Sequence, residues 1–141
     1  MRYLHTMFRV ADLDAALTFW CTHLGLRVVQ RKDYEKGRFT LVFLGTENPD
    51  DPALIELTHN WDENGPYPTG RFFGHVAFAV ADIHATCARL DAAGVTIHRP
   101  PRDGRMAFVK SPDGQSVELL QDGEALEPIE PWVSRPNVGT W

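Results

Sequence analysis

The feature that most limits what this chain can be is a pattern it uses twice. Residues 5–12, His-Thr-Met-Phe-Arg-Val-Ala-Asp, return at 75–82 as His-Val-Ala-Phe-Ala-Val-Ala-Asp. In each copy a His opens the stretch, Val-Ala-Asp closes it, and an Ala-rich run ending in Gly follows. A second echo comes later in each half, where Leu54-Ile-Glu-Leu57 is matched by Ser116-Val-Glu-Leu119. Duplication of this kind marks a structural unit repeated within one chain. Each half is too short to bury a comfortable core alone, so two like modules sharing one domain are expected. That domain spans 1–123, with modules at 1–60 and 71–123, and a Pro/Trp-rich tail occupies 124–141.

Both modules read as strand, helix, strand, strand, strand, an α+β chain of two βαβββ modules forming curved mixed sheets. In the first, 4–10 alternates as a strand that places His5, Met7 and Arg9 on one face. Asp12 caps a helix carrying Leu13, Ala16, Leu17, Trp20, Cys21 and Leu24, and Gly25 ends it. Strands are expected at 26–31, 39–44 and 53–58, the middle one central because it is apolar throughout, with a polar turn at 33–37. In the second, the strand at 73–80 aligns His75, Ala77 and Ala79. Asp82 caps a helix with Ile83, Cys87 and Leu90 that stops at Gly94. Strands follow at 95–98, 106–110 and 115–120, the last two joined by the turn Pro112-Asp-Gly114. In the tail, Pro128, Pro131 and Pro136 preclude a helix. Trp132 and Trp141 argue that this segment docks on its own body or on a partner.

A net charge of −5 disfavours a nucleic-acid surface. No apolar run is long enough to span a bilayer and no signal peptide opens the chain, so a cytoplasmic location is expected, with no membrane or nucleic-acid partner. Cys21 and Cys87 read as free thiols inside amphipathic helices.

Chemistry is concentrated in the doubled His and Glu. By alternation Glu56 shares its face with Leu54, and Glu118 shares its face with Leu120. A carboxylate on a partly apolar face is costly unless paired, hydrogen-bonded or metal-bound. An approximate two-fold relation between modules would bring His5, Glu56, His75 and Glu118 to one divalent ion. Four such donors leave open positions on a six-coordinate ion, as a catalytic site requires, and suit Ni, Co, Mn or Fe about as well as Zn. A metal with two open cis positions can hold both oxygens of an enediolate as a Lewis acid, and a Glu able to leave it could act as general base. His23, His59, His84 and His98 read as ordinary structural or surface residues.

The residues that carry these features resemble glyoxalase I (lactoylglutathione lyase) of the vicinal oxygen chelate superfamily. The matching pieces are residues 4–10, Phe19-Trp20, Leu24-Gly25-Leu26, Val42-Phe43, Ile55-Glu-Leu-Thr-His-Asn-Trp61, Gly74-His75, Ser111-Pro-Asp-Gly114 and Val117-Glu-Leu-Leu120. They leave the tail uncovered. The resemblance implies the same metal ligands, His5, Glu56, His75 and Glu118, meeting across a homodimer interface. It implies isomerisation of the glutathione–methylglyoxal hemithioacetal to S-lactoylglutathione through an enediolate, with Glu118 as base and Glu56 as a second carboxylate. One divalent metal per site is implied, of the short-form type that prefers nickel or cobalt, with zinc as the alternative and glutathione as co-substrate. Arg9, Asn60 and Arg71 match positions that bind the γ-glutamyl end, with Thr58 nearby, and Arg99 matches a basic position near the glycine carboxylate. Two carboxylates on the thiol give Arg a physical reason to be there.

The segment after Met106, itself placed among the substrate-binding residues, is shorter than the family pattern, and the tail is an addition that could replace this cover. The alternatives are another enzyme of the superfamily (a dioxygenase, epimerase or thiol transferase) or a non-catalytic module that binds a small ligand.

Overall fold

A computed structural model describes residues 1–141. The chain divides into two units, Met1–Pro68 and Thr69–Trp141, close to the division between the two copies of the repeat. The tail belongs to the second unit rather than standing apart from it.

In the first unit, β1 (His5–Arg9) leads into α1 (Leu13–Leu17), and a π-helical segment (Thr18–His23) continues it. Strands β2 (Arg27–Tyr34), β3 (Phe39–Gly45) and β4 (Leu54–Asn60) follow, forming a four-stranded sheet in the order β1-β4-β3-β2. β1 pairs with β4 in parallel and the other pairings are antiparallel. Asp12 caps α1 as its sequence implies, its Oδ1 accepting from the Ala15 N–H at 2.9 Å. The helix expected to run regularly to Leu24 instead widens into π turns. The two consecutive aromatics there are both buried, Phe19 at 3% and Trp20 at 0% exposure, and a π turn adds the residue that lets neighbours share an inward face. Trp20 stacks on Phe8 of β1 with ring centroids 5.8 Å apart. Phe8, Val42, Leu44, Ile55 and Leu57 complete a core on one face of the sheet. Alternation sends His5, Met7, Glu56 and Phe43 to the other face.

β3 is central, as its apolar content suggests. β2, however, runs on to Tyr34 through residues that read as a turn. The cause is a cross-strand contact invisible in local sequence. Tyr34 opposes Phe39 with the rings stacked at 4.7 Å, and the Thr40 hydroxyl donates to Asp33 Oδ1 at 2.7 Å.

In the second unit, β5 (Val76–Val80), α2 (Ile83–Ala92), β6 (Met106–Lys110) and β7 (Ser116–Gln121) give a three-stranded sheet in the order β5-β7-β6. It is the same plan with one strand reduced. The expected strand at 95–98 survives only as a single bridge between Arg99 and Phe108. Pro100 and Pro101 follow at once, and without N–H groups they cannot extend a ladder. β5 begins at Val76, later than expected, its ladder opening at Val76↔Val117. His75 therefore stands just outside the strand.

Both units clamp the junction between first strand and helix from the residue three after the Glu. His59 Nδ1 bonds the Val10 carbonyl at 3.2 Å. The Gln121 amide donates to the Ala81 carbonyl at 2.8 Å and accepts the Ile83 N–H at 2.9 Å. Cys21 and Cys87 are free thiols, and burial pushes Cys87 up to about 12. No helix is long and apolar enough to cross a membrane.

The tail folds back onto its own unit. Trp132 is buried at 4% exposure. The Leu126 N–H donates to the Gly104 carbonyl at 3.0 Å, and His84 Nε2 bonds the Glu127 carbonyl at 3.0 Å. The Arg135 guanidinium binds both oxygens of Asp91 at 2.7 Å, and His98 Nδ1 bonds the Val138 carbonyl at 2.7 Å. Gly104 makes this approach feasible. It sits at φ +64°, and a Cβ there would meet the Leu126 carbonyl oxygen at 1.8 Å. Gly104→Ala is therefore expected to destabilise the protein by about 2 kcal/mol or more and to loosen residues 124–141 first. Urea unfolding together with limited proteolysis of the tail would check this; an unchanged midpoint and an intact tail would refute it.

Candidate active site

Each unit carries the same small construction on the sheet face opposite its helix. In the first, His5 Nε2 lies 2.9 Å from Glu56 Oε2, and the edge of the His5 ring meets Phe43 at a centroid distance of 5.5 Å and 73°. In the second, His75 Nε2 lies 3.1 Å from Glu118 Oε2, and His75 meets Phe108 at 5.4 Å and 81°. The backbone explains the match. Parallel pairing aligns His5 with Leu54 and Met7 with Glu56, so the Glu sits one pleat along on the same face. Val76 aligned with Val117 and Ala77 with Glu118 give His75 the same offset. On the antiparallel side Phe43 opposes Glu56, and Phe108 opposes Glu118. Phe43 falls in one of the family-matching pieces, but neither it nor Phe108 reads as a site residue from sequence. An apolar strand gives no sign of which of its residues will face a site.

The exposures are graded in the same sense in both halves. The Glu side chains are 13% and 15% exposed, the His side chains 37% and 43%. The carboxylate is anchored and the imidazole opens outward. Cis donors on an ion with bonds of about 2.1 Å would stand ~3.0 Å apart, and each His–Glu pair has that spacing. Each unit thus offers one nitrogen and one oxygen donor placed to share a divalent ion. Taken singly, each pair offers two donors, fewer than the three or four that a protein ordinarily gives a divalent ion.

The two carboxylates differ in one respect. The Thr58 hydroxyl donates to Glu56 Oε1 at 3.1 Å, so both Glu56 oxygens are engaged. Two residues after Glu118 stands Leu120, which has nothing to donate. Glu118 is held through one oxygen only.

Of the other sequence-derived residues, Arg9 is exposed on the His5 face. Burial raises the Tyr67 phenol above its ordinary value while Asn60 and the Arg9 cation pull it back. That places Arg9, Asn60 and Tyr67 together, and Tyr67 lies in a stretch that reads as linker. Arg71 lines a cleft of about 390 Å³ with Lys110, Ser116 and Trp141. Met106 heads β6 on the face that also carries Phe108 and Lys110. Arg99 is committed to its own loop. Its guanidinium bonds Asp103 Oδ2 at 2.8 Å and the Met106 carbonyl, and its side chain is only 18% exposed.

Burial alone would raise the Asp103 carboxyl, but Arg99 and the N–H groups of Arg105 and Met106 hold it down at about 2. A depressed carboxyl contributes stability above its unfolded value and loses that contribution as pH falls toward the folded one. Asp103→Asn should therefore cost stability at pH 6, with the gap to wild type closing as pH falls from about 5 toward 2. Urea midpoints at pH 6 and pH 3 would measure it, and an equal gap at both would refute it.

The profile of the Glyoxalase/Bleomycin resistance protein/Dioxygenase superfamily matches residues 2–119. A probable lactoylglutathione lyase of Synechocystis sp. is 44% identical over 126 residues, covering 86% of this chain and 95% of that protein. A lactoylglutathione lyase of Neisseria meningitidis is 42% identical over 126 residues, covering 86% and 91%. Among solved structures, the trypanothione-dependent glyoxalase I of Leishmania major superposes with a TM-score of 0.81 at 37% identity, covering 86% of this chain and 87% of that one.

Proposed function

The chain belongs to the lactoylglutathione lyase (glyoxalase I) family, and on that premise we propose that it isomerises the glutathione–methylglyoxal hemithioacetal to S-lactoylglutathione. The observation that carries this reading is the doubled His–Glu–Phe construction, with His–Glu distances of 2.9 and 3.1 Å, in a chain so similar to lactoylglutathione lyases.

Two copies of the chain complete the site. His5 and Glu56 of one copy meet His75 and Glu118 of another around one divalent ion, nickel or cobalt in preference to zinc. The sharing between copies and the metal preference are those of the short-form enzymes this chain resembles; the donors themselves, two imidazoles and two carboxylates, would suit a borderline divalent ion and leave positions for substrate. A divalent ion held there supplies Lewis acidity to the two adjacent substrate oxygens.

The reaction itself is a proton relocation. A base removes the proton from C1 of the hemithioacetal and returns one to C2, while the C1 hydroxyl gives up its proton and the C2 oxygen gains one, so the carbonyl carbon becomes a carbinol and C1 becomes the thioester carbon, with no external oxidant. Glu118 is the better base because only one of its oxygens is held, while Glu56 is tied at both by His5 and Thr58. A carboxylate that must accept a proton and release it needs a free oxygen. Glu56 holds His5 in place and balances charge. Arg9, Asn60 and Arg71 receive the carboxylate-bearing thiol, which Thr58 adjoins through Glu56. Arg99, bonded to Asp103 and the Met106 carbonyl, shapes the loop that precedes Met106. Since the Leishmania relative is trypanothione-dependent, trypanothione is the thiol to test against glutathione.

Stripping the protein with chelator should abolish turnover of the hemithioacetal, and nickel or cobalt added alone should restore it, zinc less well. Glu118→Gln should retain metal by direct metal analysis and lose about 10²–10⁴-fold in kcat. Turnover within a few-fold of wild type in Glu118→Gln would transfer the base role elsewhere.

A further inference from the structure

We propose that Trp141, delivered by the C-terminal tail, is a specificity-determining wall of the second unit's half-site, closing a cleft in which Arg71, Lys110 and Ser116 take a carboxylate of the thiol co-substrate. The inference rests on the thiol-dependent reading above and assigns residues that reading leaves unused: Lys110, Ser116 and Trp141.

The tail is fixed along its length. Arg135 is held by Asp91, and Arg102 donates to the Arg135 carbonyl at 2.8 Å and to Asn137 at 2.6 Å. The Val138 N–H donates to the His98 carbonyl at 2.9 Å. Trp141 ends this run with its ring 5.9 Å from that of Phe108, and Phe108 in turn meets the edge of His75. Three rings therefore lead in contact from the tail to a metal-ligating imidazole. Phe108 is only 6% exposed, whereas Trp141 keeps 41% of its surface open. The outer ring is left to face a ligand.

The cleft that Trp141 borders has the chemistry of an anion site. Arg71 and Lys110 both line it, and neither appears in any ion pair within the chain. Ser116 also lines it, is 5% exposed, and its Oγ has no hydrogen-bond partner. Two uncompensated cations and one orphaned buried hydroxyl in the same cleft are a combination that folding alone would not favour. A carboxylate satisfies all three, accepting from each donor. Thr69 and Thr140 add hydroxyls at the border. Lys110 opposes Ser116 in the β6–β7 ladder, and Ser116, Glu118 and Leu120 share one face of β7. The anion would lie one pleat from the base, a short reach for a substrate whose thiol sulfur is bonded to the reacting carbon.

The test is binding of S-methylglutathione, a thioether that cannot react, to metal-loaded wild type, Trp141→Ala and Lys110→Met by calorimetry, beside steady-state turnover. Loss of a charge-assisted contact should weaken thioether binding about tenfold in Lys110→Met. Trp141→Ala should raise KM for the hemithioacetal by a similar factor, with kcat within about twofold. Affinity and KM at wild-type level in both folded variants would overturn the proposal. So would a fall in kcat without a rise in KM in Trp141→Ala, which would make the tail a prop for His75 instead of a wall. Should Trp141→Ala fail to fold, Lys110→Met decides alone, because it changes a half-buried cation at the end of β6, a different element, and keeps an aliphatic stem there. Wild type that binds the thioether tightly, loses that binding in the variants, and yet turns over no hemithioacetal would keep this inference and sink the proposed reaction. Wild type that does not bind the thioether would sink the inference.

Discussion

One strand register, used twice, sets everything at the site. Parallel pairing of β1 with β4 and of β5 with β7 places a Glu diagonally across from a His, close enough to bond. Side chains on a strand alternate, so a slip of one residue in either pairing would send the Glu into the helix-packed core and bring an Ile, Leu or Val out in its place. The core enforces the register in return. Ile55 and Leu57 flank Glu56, Val117 and Leu119 flank Glu118, and all four are buried. The hydrophobic alternation that holds each sheet against its helix also fixes the donors.

How much of this can be read from the chain alone follows from which interactions are local. The repeat declares itself in identities at fixed spacing, so His5, Glu56, His75 and Glu118, the Asp caps and the module plan were accessible. Features that arise between distant segments were not. Tyr34 extends β2 because Phe39 stacks on it across the hairpin. Phe43 and Phe108 look like any apolar strand residue until their partners are known. The π turn at 18–23 comes from the need to bury Phe19 and Trp20 together. The strand read at 95–98 reduces to one bridge because Pro100 and Pro101, which read as the loop beyond it, deny it a ladder. Histidines set aside as ordinary proved structural: His59 clamps a strand end, and His84 and His98 tether the tail.

The two halves have kept their plan and diverged in detail. Position by position, Thr58 stands where the second unit has Leu120, and Leu54 stands where it has Ser116. The first exchange gives one carboxylate a second hydrogen bond and denies it to the other. The second leaves a buried hydroxyl without a partner in one half and an aliphatic side chain in the other. Duplication supplies two similar His–Glu halves; such exchanges make their two carboxylates unequal, as the proposed division into an anchor and a base requires.

The contact between Gly104 and Leu126 ties two departures from the family pattern into one. The Leu126 carbonyl occupies the space a side chain at 104 would need. Gly104 also stands two residues ahead of Met106, after which the chain is shorter than the family pattern. Extra residues there would compete with the tail for the same volume. A longer loop and a docked tail are then mutually exclusive occupants of one position, and a lineage that acquired the tail would be held to the short loop and the glycine for as long as it kept it.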